Sequence, residues 1–206
     1  MQVVGPTDVK QIPVIRVGVI ADTHIPKRIK SMPREVLDAL RSLRVDHILH
    51  AGDICVPAVL EELAVIAPVT AARGNGDLAL RDSLPMAQLL DFNGVRVALT
   101  HGSGSLWDYV RDQWAYGLHG YRAERYIKLA AKFAGDAQVI VFGHSHRPLK
   151  EVLDGRLFFN PGSACFGPPE GGKPSIGLLQ IDTAANVQAD IIQLPINLDE
   201  NNIRKQ

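Results

Sequence analysis

The sequence predicts an α/β fold: two mixed sheets packed face to face, with helices outside. Two observations predict it. Through residue 72, short apolar runs alternate with helical patterns, the signature of right-handed βαβ units and a parallel sheet. Beyond that point the apolar runs pair up across Asn93-Gly94 and Asp154-Gly155, dipeptides that favour two-residue hairpin turns. The 206 residues, 46% hydrophobic and 21% charged, fit one domain with a sizeable core.

The elements follow in order. Residues 1–13, with Gly5, Pro6 and Pro13, read as a loose leader. Arg16 to Ala21 is an apolar run ending at Asp22. Pro33 suits the first turn of a helix, where its missing N–H has no partner to lose. Val36, Leu37, Leu40 and Leu43 give that helix an apolar face. Asp46 to Ala51 is the next strand, Pro57 to Ile66 the next helix, and Pro68 to Ala72 a third strand. Ala87 to Phe92 and Val95 to Thr100 form a hairpin. Residues 103–135 are mostly helical and hold both tryptophans and all four tyrosines. Gln138 to Phe142 is a buried strand. Lys150 to Leu153 pairs with Arg156 to Phe159, and Ile176 to Asp182 with Val187 to Leu194. The domain is expected over 14–195, with 103–135 an aromatic-rich insertion and 196–206 a polar tail.

Lys+Arg and Asp+Glu both number 22, so the net charge is zero. A protein that draws its affinity from neutralising a nucleic-acid backbone wants a basic face, so long DNA or RNA is not the expected partner. No apolar run has the length of a membrane span. The N-terminus has neither a basic start nor a continuous apolar stretch, and two cysteines make no disulfide framework in a chain of this size. The expected compartment is the cytoplasm.

The polar residues at the ends of these strands carry the chemistry. In order they are Asp22-Thr23-His24, Gly52-Asp53, Gly74-Asn75-Gly76-Asp77, His101-Gly102 and Gly143-His144-Ser145-His146. Carboxyl ends of strands in an open α/β sheet converge where ligands bind. N and O donors meeting there, with no thiolate among them, describe a site for one or two hard or borderline divalent metals. A structural zinc site would instead cluster Cys and His at short spacings. A single histidine in such a position is ordinarily a packing residue; five blocks in sequence are not so easily explained. The glycines before Asp53, Asn75 and His144 are expected to let the backbone turn sharply.

The pattern DxH, GD, GNxD, HG, GHxH resembles the calcineurin-like metallophosphoesterase superfamily. The compact size and Asn160-Pro161-Gly162-Ser163 after the last block narrow the resemblance to its small single-domain, YfcE-like branch. The resemblance implies a four-layer α/β/β/α sandwich. It implies that Asp22, His24, Asp53 and His146 hold one metal, and that Asp53, Asn75, His101 and His144 hold a second, with Asp53 bridging. Mn2+ is the ion favoured, while Ni2+, Co2+, Fe or Zn2+ suit the same donors. The activity implied is phosphoester hydrolysis, with a small phosphodiester favoured over a phosphomonoester as substrate. Two cations about 3.5–4 Å apart would make hydroxide available between them for in-line attack on phosphorus. Many superfamily members carry His where this chain has Gly76, which removes one candidate for protonating the leaving group. Asp77 then reads as a residue that orders its loop.

Other residues have weaker readings. Arg73 and Arg147 flank ligand blocks and could steady a substrate phosphate, guanidinium matching phosphate oxygens well; a surface salt bridge is the competing reading. His47 and His50 read as packing residues of the second strand, and His119 as a surface residue. Cys55 and Cys165 read as packed free thiols. Asn160 and Ser163 read as residues ordering the loop beside the last block. The aromatics of 103–135 admit three roles: a lid, an interface of a homo-oligomer, or core. The alternative from another class is a non-catalytic metal-binding scaffold or protein-interaction module, since a retromer subunit with the same fold is a scaffold. The complete ligand set favours an enzyme.

Overall fold

The computed structural model describes residues 13–196, so most of the expected leader and tail lies outside the described residues. Among the described residues, ten strands form two five-stranded sheets. The first has the order β10-β9-β1-β2-β3, from β1 (Val14–Ile20), β2 (His47–His50), β3 (Val69–Ala71), β9 (Ser175–Asp182) and β10 (Val187–Gln193). Its β1, β2 and β3 run parallel, and β9 and β10 add antiparallel. The second has the order β4-β5-β6-β8-β7, from β4 (Ala87–Phe92), β5 (Val95–Thr100), β6 (Val139–Val141), β7 (Pro148–Leu153) and β8 (Arg156–Pro161). In it β5, β6 and β8 are parallel, while β4 and β7 close the edges as hairpins.

Alternation along each strand builds the layers. Val17 and Val19 of β1, Leu49 of β2 and Leu179 of β9 face Val97 and Leu99 of β5, Val141 of β6 and Phe159 of β8 in a core between the sheets. On the outer face of the first sheet, Ile20 and Ile48 pack with Val36, Leu37 and Leu40 of α1 (Arg34–Ser42) and Val59 and Leu63 of α2 (Pro57–Ala64). On the outer face of the second, Ala98, Ile140 and Phe158 pack with Tyr126, Ile127 and Ala130 of α4 (Ala123–Ala131). The result is the expected α/β/β/α sandwich.

Local details differ from the sequence expectation in two places. Pro33 is the N-cap of α1, with φ −63° and ψ 139°, one residue outside the first turn. Residues 103–135 hold two helices, α3 (Leu106–His119) and α4, separated at Gly120 with φ +67°. Tyr126 is core, and Tyr121 stacks on it at 5.3 Å between ring centroids. Trp107 and Trp114 are not core: they are 82% and 75% exposed on α3. Both Asn93-Gly94 and Asp154-Gly155 have positive φ at each residue, the conformation that matches the twist of a two-residue hairpin.

Candidate metal centre

The five polar blocks meet at one end of the two sheets, held there by backbone hydrogen bonds between loops distant in sequence. Asp22 N donates to Gly52 O, His24 N to Asp53 O, and Gly143 N to His101 O. His144 N donates to Asp22 Oδ2 at 3.0 Å. Positive φ occurs at Asp22 (54°), His24 (50°), Asp53 (57°), His144 (70°) and His146 (57°). L-residues avoid that region, and its recurrence at a cleft marks a function the fold is holding in place.

The side chains converge. His24 Nε2 and His146 Nε2 are 3.0 Å apart. Asp22 Oδ1 is 3.5 Å from His146 Nε2 and 3.9 Å from His24 Nε2. Asp53 Oδ2 is 3.6 Å from His24, and its Oδ1 is 3.5 Å from His101 Nε2. One ligand atom each from Asp22, His24 and His146 lies within 4.8 Å of the others, and the same holds for Asp22, Asp53 and His101. Asp22 is thus common to both tight groups, and Asp53 also touches both sides. Asn75 Oδ1 is 3.1 Å from His101 Nε2, and the His144 ring packs edge-on against His101 at 5.1 Å.

This donor set fits divalent cations. Asp22 Oδ1 is buried with no hydrogen-bond partner among the described residues, an expensive state for a carboxylate unless a cation answers it. His101 Nδ1 is 2.7 Å from Ala51 O. A carbonyl only accepts, so Nδ1 carries the proton and Nε2 turns its lone pair inward, the orientation a second partner imposes on metal-ligating histidines. Burial lowers His24 to about 4, with Arg28 adding to the fall. Burial, then His24 and Arg28, lower His146 to about 3. Both rings are therefore neutral and free to donate lone pairs. Burial, then Asp53, raise Asp22 well above the usual carboxylate range. Burial pushes Asp53 the same way, but His101, His24, the Gly76 N–H and His144 outweigh it and hold it low.

The surrounding residues settle the weaker readings. Asp77 orders its loop: its carboxylate accepts from the backbone N–H of Asp53 (2.9 Å), Cys55 (2.6 Å) and Gly74 (2.8 Å). Asn160 Nδ2 donates to Gly143 O, and Ser163 Oγ donates to Asp22 O at 2.8 Å. His47 Nε2 meets Thr70 Oγ1. His50 Nε2 meets Thr23 Oγ1 at 3.2 Å, behind the Asp22–His24 turn. His119 is exposed. Burial raises the Cys55 thiol to about 11 and the Cys165 thiol to about 12, so both are packed, inert thiols.

One expectation needs correction. Of the glycines before ligands, only Gly52 has positive φ (88°). Gly74 and Gly143 serve by space: a Cβ at Gly74 would overlap the Asp53 carboxylate, and one at Gly143 would fall 2.9 Å from Asp22 Oδ2. Of the two readings open for Arg147, the structure shows the salt bridge: it pairs with Glu170 and lies over the Tyr121 ring at 4.2 Å. The sequence reading missed Arg28, whose guanidinium lies 6.0 Å from the Phe166 ring, itself edge-on to His24. The only sequence signal for it is its place just after the first block.

The Calcineurin-like phosphoesterase superfamily domain model matches residues 15–184. The chain belongs to that superfamily. A probable metallophosphoesterase of Methanothermobacter thermautotrophicus is 35% identical to it over 177 residues, 86% of this chain and 91% of that protein. A phosphodiesterase of Methanocaldococcus jannaschii is 25% identical over 178 residues, 82% of this chain and 94% of that one. Among solved structures, vacuolar protein sorting 29 of Cryptosporidium parvum aligns with a TM-score of 0.61 at 21% identity, covering 87% of this chain and 98% of its own, a likeness of fold. Metallophosphoesterase membership implies divalent metal ions and a phosphoester hydrolase, and the two tight donor groups are where this chain offers to hold the ions. No helix among the described residues is long and apolar enough to cross a membrane.

Proposed function

We propose that this metallophosphoesterase is a dinuclear phosphodiesterase acting on a small phosphodiester. The observation that carries the reading is the pair of adjacent donor groups, with Asp22 Oδ1 lacking a hydrogen-bond partner among the described residues and Asp53 reaching both His24 and His101. Asp22, His24, Asp53 and His146 would hold one ion, and Asp53, Asn75, His101 and His144 the other, Mn2+ being the ion of choice. When bound, such a pair supplies Lewis acidity toward phosphate oxygens and a hydroxide nucleophile near neutral pH. The chain's own residues do the positioning. Ala51 O holds the His101 tautomer, Asp77 fixes the Asp53 and Gly74 backbone, and Ser163 and Asn160 tie the Asp22 and Gly143 turns. Asn75 is a neutral donor, so it adds no charge that would weaken Lewis acidity. Arg28, over the Phe166 ring that meets His24, and Arg73, next to Gly74 and Asn75 in the cavity beside the centre, are cations available to the substrate's phosphate groups.

The functional unit is proposed to span 14–195, in the cytoplasm, with 103–135 an insertion beside the site. The alternative, a protein-interaction module of the same fold, draws support from the exposed Trp107 and Trp114 of α3, which also suit a homo-oligomer contact. The deciding experiment is hydrolysis of bis-p-nitrophenyl phosphate and p-nitrophenyl phosphate by metal-stripped protein titrated with Mn2+, beside Asp53→Asn. Diester cleavage restored by Mn2+ and absent in the variant is expected. Cleavage of neither ester by metal-loaded protein would move the reading to the interaction module.

A further inference from the structure

A cavity of about 530 Å³ opens beside the candidate centre. Gly74 and Asn75 line it, so one wall is continuous with the Asn75–His101 side of the site. Another wall is apolar and carries Leu78, 76% exposed, with Met86. Arg73 and Arg81 line the cavity as well, with Ser103, Gly104 and Ser105 of the turn leading into α3. Organic ligands of nucleotide size fit cavities of this volume.

The charge of this cavity is unbalanced. Arg73 Nη1 donates to Arg81 O, a neutral carbonyl, at 2.6 Å. Arg81 makes no side-chain hydrogen bond or ion pair among the described residues, and neither arginine has a carboxylate partner there. The one acid lining the cavity, Asp77, is buried and already accepts three backbone N–H groups. Two guanidinium groups therefore line an apolar-walled space with no carboxylate partner among the described residues.

We infer that this cavity is a subsite for the alcohol portion of the ester, and that it selects a nucleotide-sized group carrying a second anion, a phosphate, of its own. The apolar part would lie on Leu78 and Met86. The second phosphate would meet Arg81 and Arg73, in the fork geometry guanidinium offers phosphate. The inference rests on the phosphodiesterase reading for its reacting centre, but the cavity's preference for an anion can be measured apart from it.

The test compares p-nitrophenyl thymidine 5′-phosphate with the same ester bearing a 3′-phosphate, both with Mn2+, in the wild type and in Arg81→Gln. A charge-assisted contact of ordinary strength predicts kcat/KM about tenfold higher for the 3′-phosphorylated ester in the wild type. In Arg81→Gln that preference should shrink to within about twofold, while bis-p-nitrophenyl phosphate, which has no second anion, is cleaved within about twofold of the wild-type rate. Equal kcat/KM for the two thymidine esters in the wild type overturns the inference, as does a preference that survives Arg81→Gln. If no ester is cleaved, the phosphodiesterase reading fails. Calorimetric binding of thymidine 3′,5′-bisphosphate against thymidine 5′-monophosphate then decides the subsite alone. Tighter binding of the bisphosphate, lost in Arg81→Gln, supports it, and equal binding overturns it.

Discussion

Asp77→Asn is the substitution that tests how the centre is held. The Asp77 carboxylate is buried and accepts three backbone hydrogen bonds. Its Oδ2 takes the N–H groups of Asp53 and Gly74, and its Oδ1 takes that of Cys55 at 2.6 Å. Asparagine fills the same volume but offers only one acceptor oxygen. Placed where Oδ2 stands, that oxygen keeps two bonds, now without the charge, and its amide NH2 meets the Cys55 N–H donor to donor. Leaving one buried N–H unsatisfied costs about 1–3 kcal/mol, and weakening two charge-assisted bonds adds to it, so about 2–4 kcal/mol is expected. For a domain of this size that is a fall in Tm of roughly 5–15 °C. Urea unfolding in the presence of a chelator measures the loss without any contribution from metal. Because Asp77 acts on Asp53 through the backbone, the variant should need more Mn2+ yet approach wild-type kcat when saturated. Unchanged stability with activity abolished at saturating Mn2+ would refute the positioning role and put Asp77 into the chemistry.

Further outcomes are expected at the ligands, at their close contacts and with pH. Asp53→Asn and His146→Ala should each lower diester hydrolysis by more than about 100-fold, the upper end of what loss of a mere supporting partner costs, while circular dichroism stays native; near wild-type turnover with Mn2+ supplied would remove the residue from the centre. Gly74→Ala should lose both Mn2+ affinity and stability, because its Cβ would overlap the Asp53 carboxylate; a fully active, metal-tight variant would show that the loop is not held as described. In chelator, stability should rise between pH 5 and pH 7. Burial, the largest cause in each, holds His24, His50 and His146 at about 4, about 4 and about 3, against an ordinary value of 6.5. The unfolded chain therefore takes up these protons first, and stability present above pH 6.5 is lost as pH falls toward the folded values. Asp22, raised by burial, opposes this from pH 3.8 upward; the three rings outnumber the one carboxyl, so the net change with rising pH is a gain in stability. A urea midpoint that does not move between the two pH values would contradict the neutral, buried state of these rings.

Much of the architecture was legible in local patterns. The Val14–Ile20 run ending at Asp22, the apolar face of α1 at Val36, Leu37 and Leu40, and the Asn93-Gly94 and Asp154-Gly155 turns depend on neighbours within a few residues, so period and turn chemistry suffice to find them. The split of 103–135 at Gly120 was less visible, because helical propensity continues on both sides of it. The fate of its aromatics was not visible at all: Tyr126 is buried only because β5, β6 and β8 stand behind α4, and the two tryptophans are exposed because α3 has no such layer.

By itself the sequence determined which chemical groups stand at strand ends, and hence that carboxylate, imidazole and amide donors, not thiolates, would gather at one end of the sheets. The tertiary structure decided how they face one another. Loops up to 122 residues apart bring His24 and His146 together. The same fold leaves Asp22 Oδ1 with no hydrogen-bond partner, commits Arg147 to Glu170 and Tyr121, and opens a cavity in which, among the described residues, Arg73 and Arg81 have no carboxylate partner. The reason is physical. Residue type and local period are properties of the chain, whereas burial, lone-pair direction and charge compensation are set by whichever distant atoms fill the space around a group.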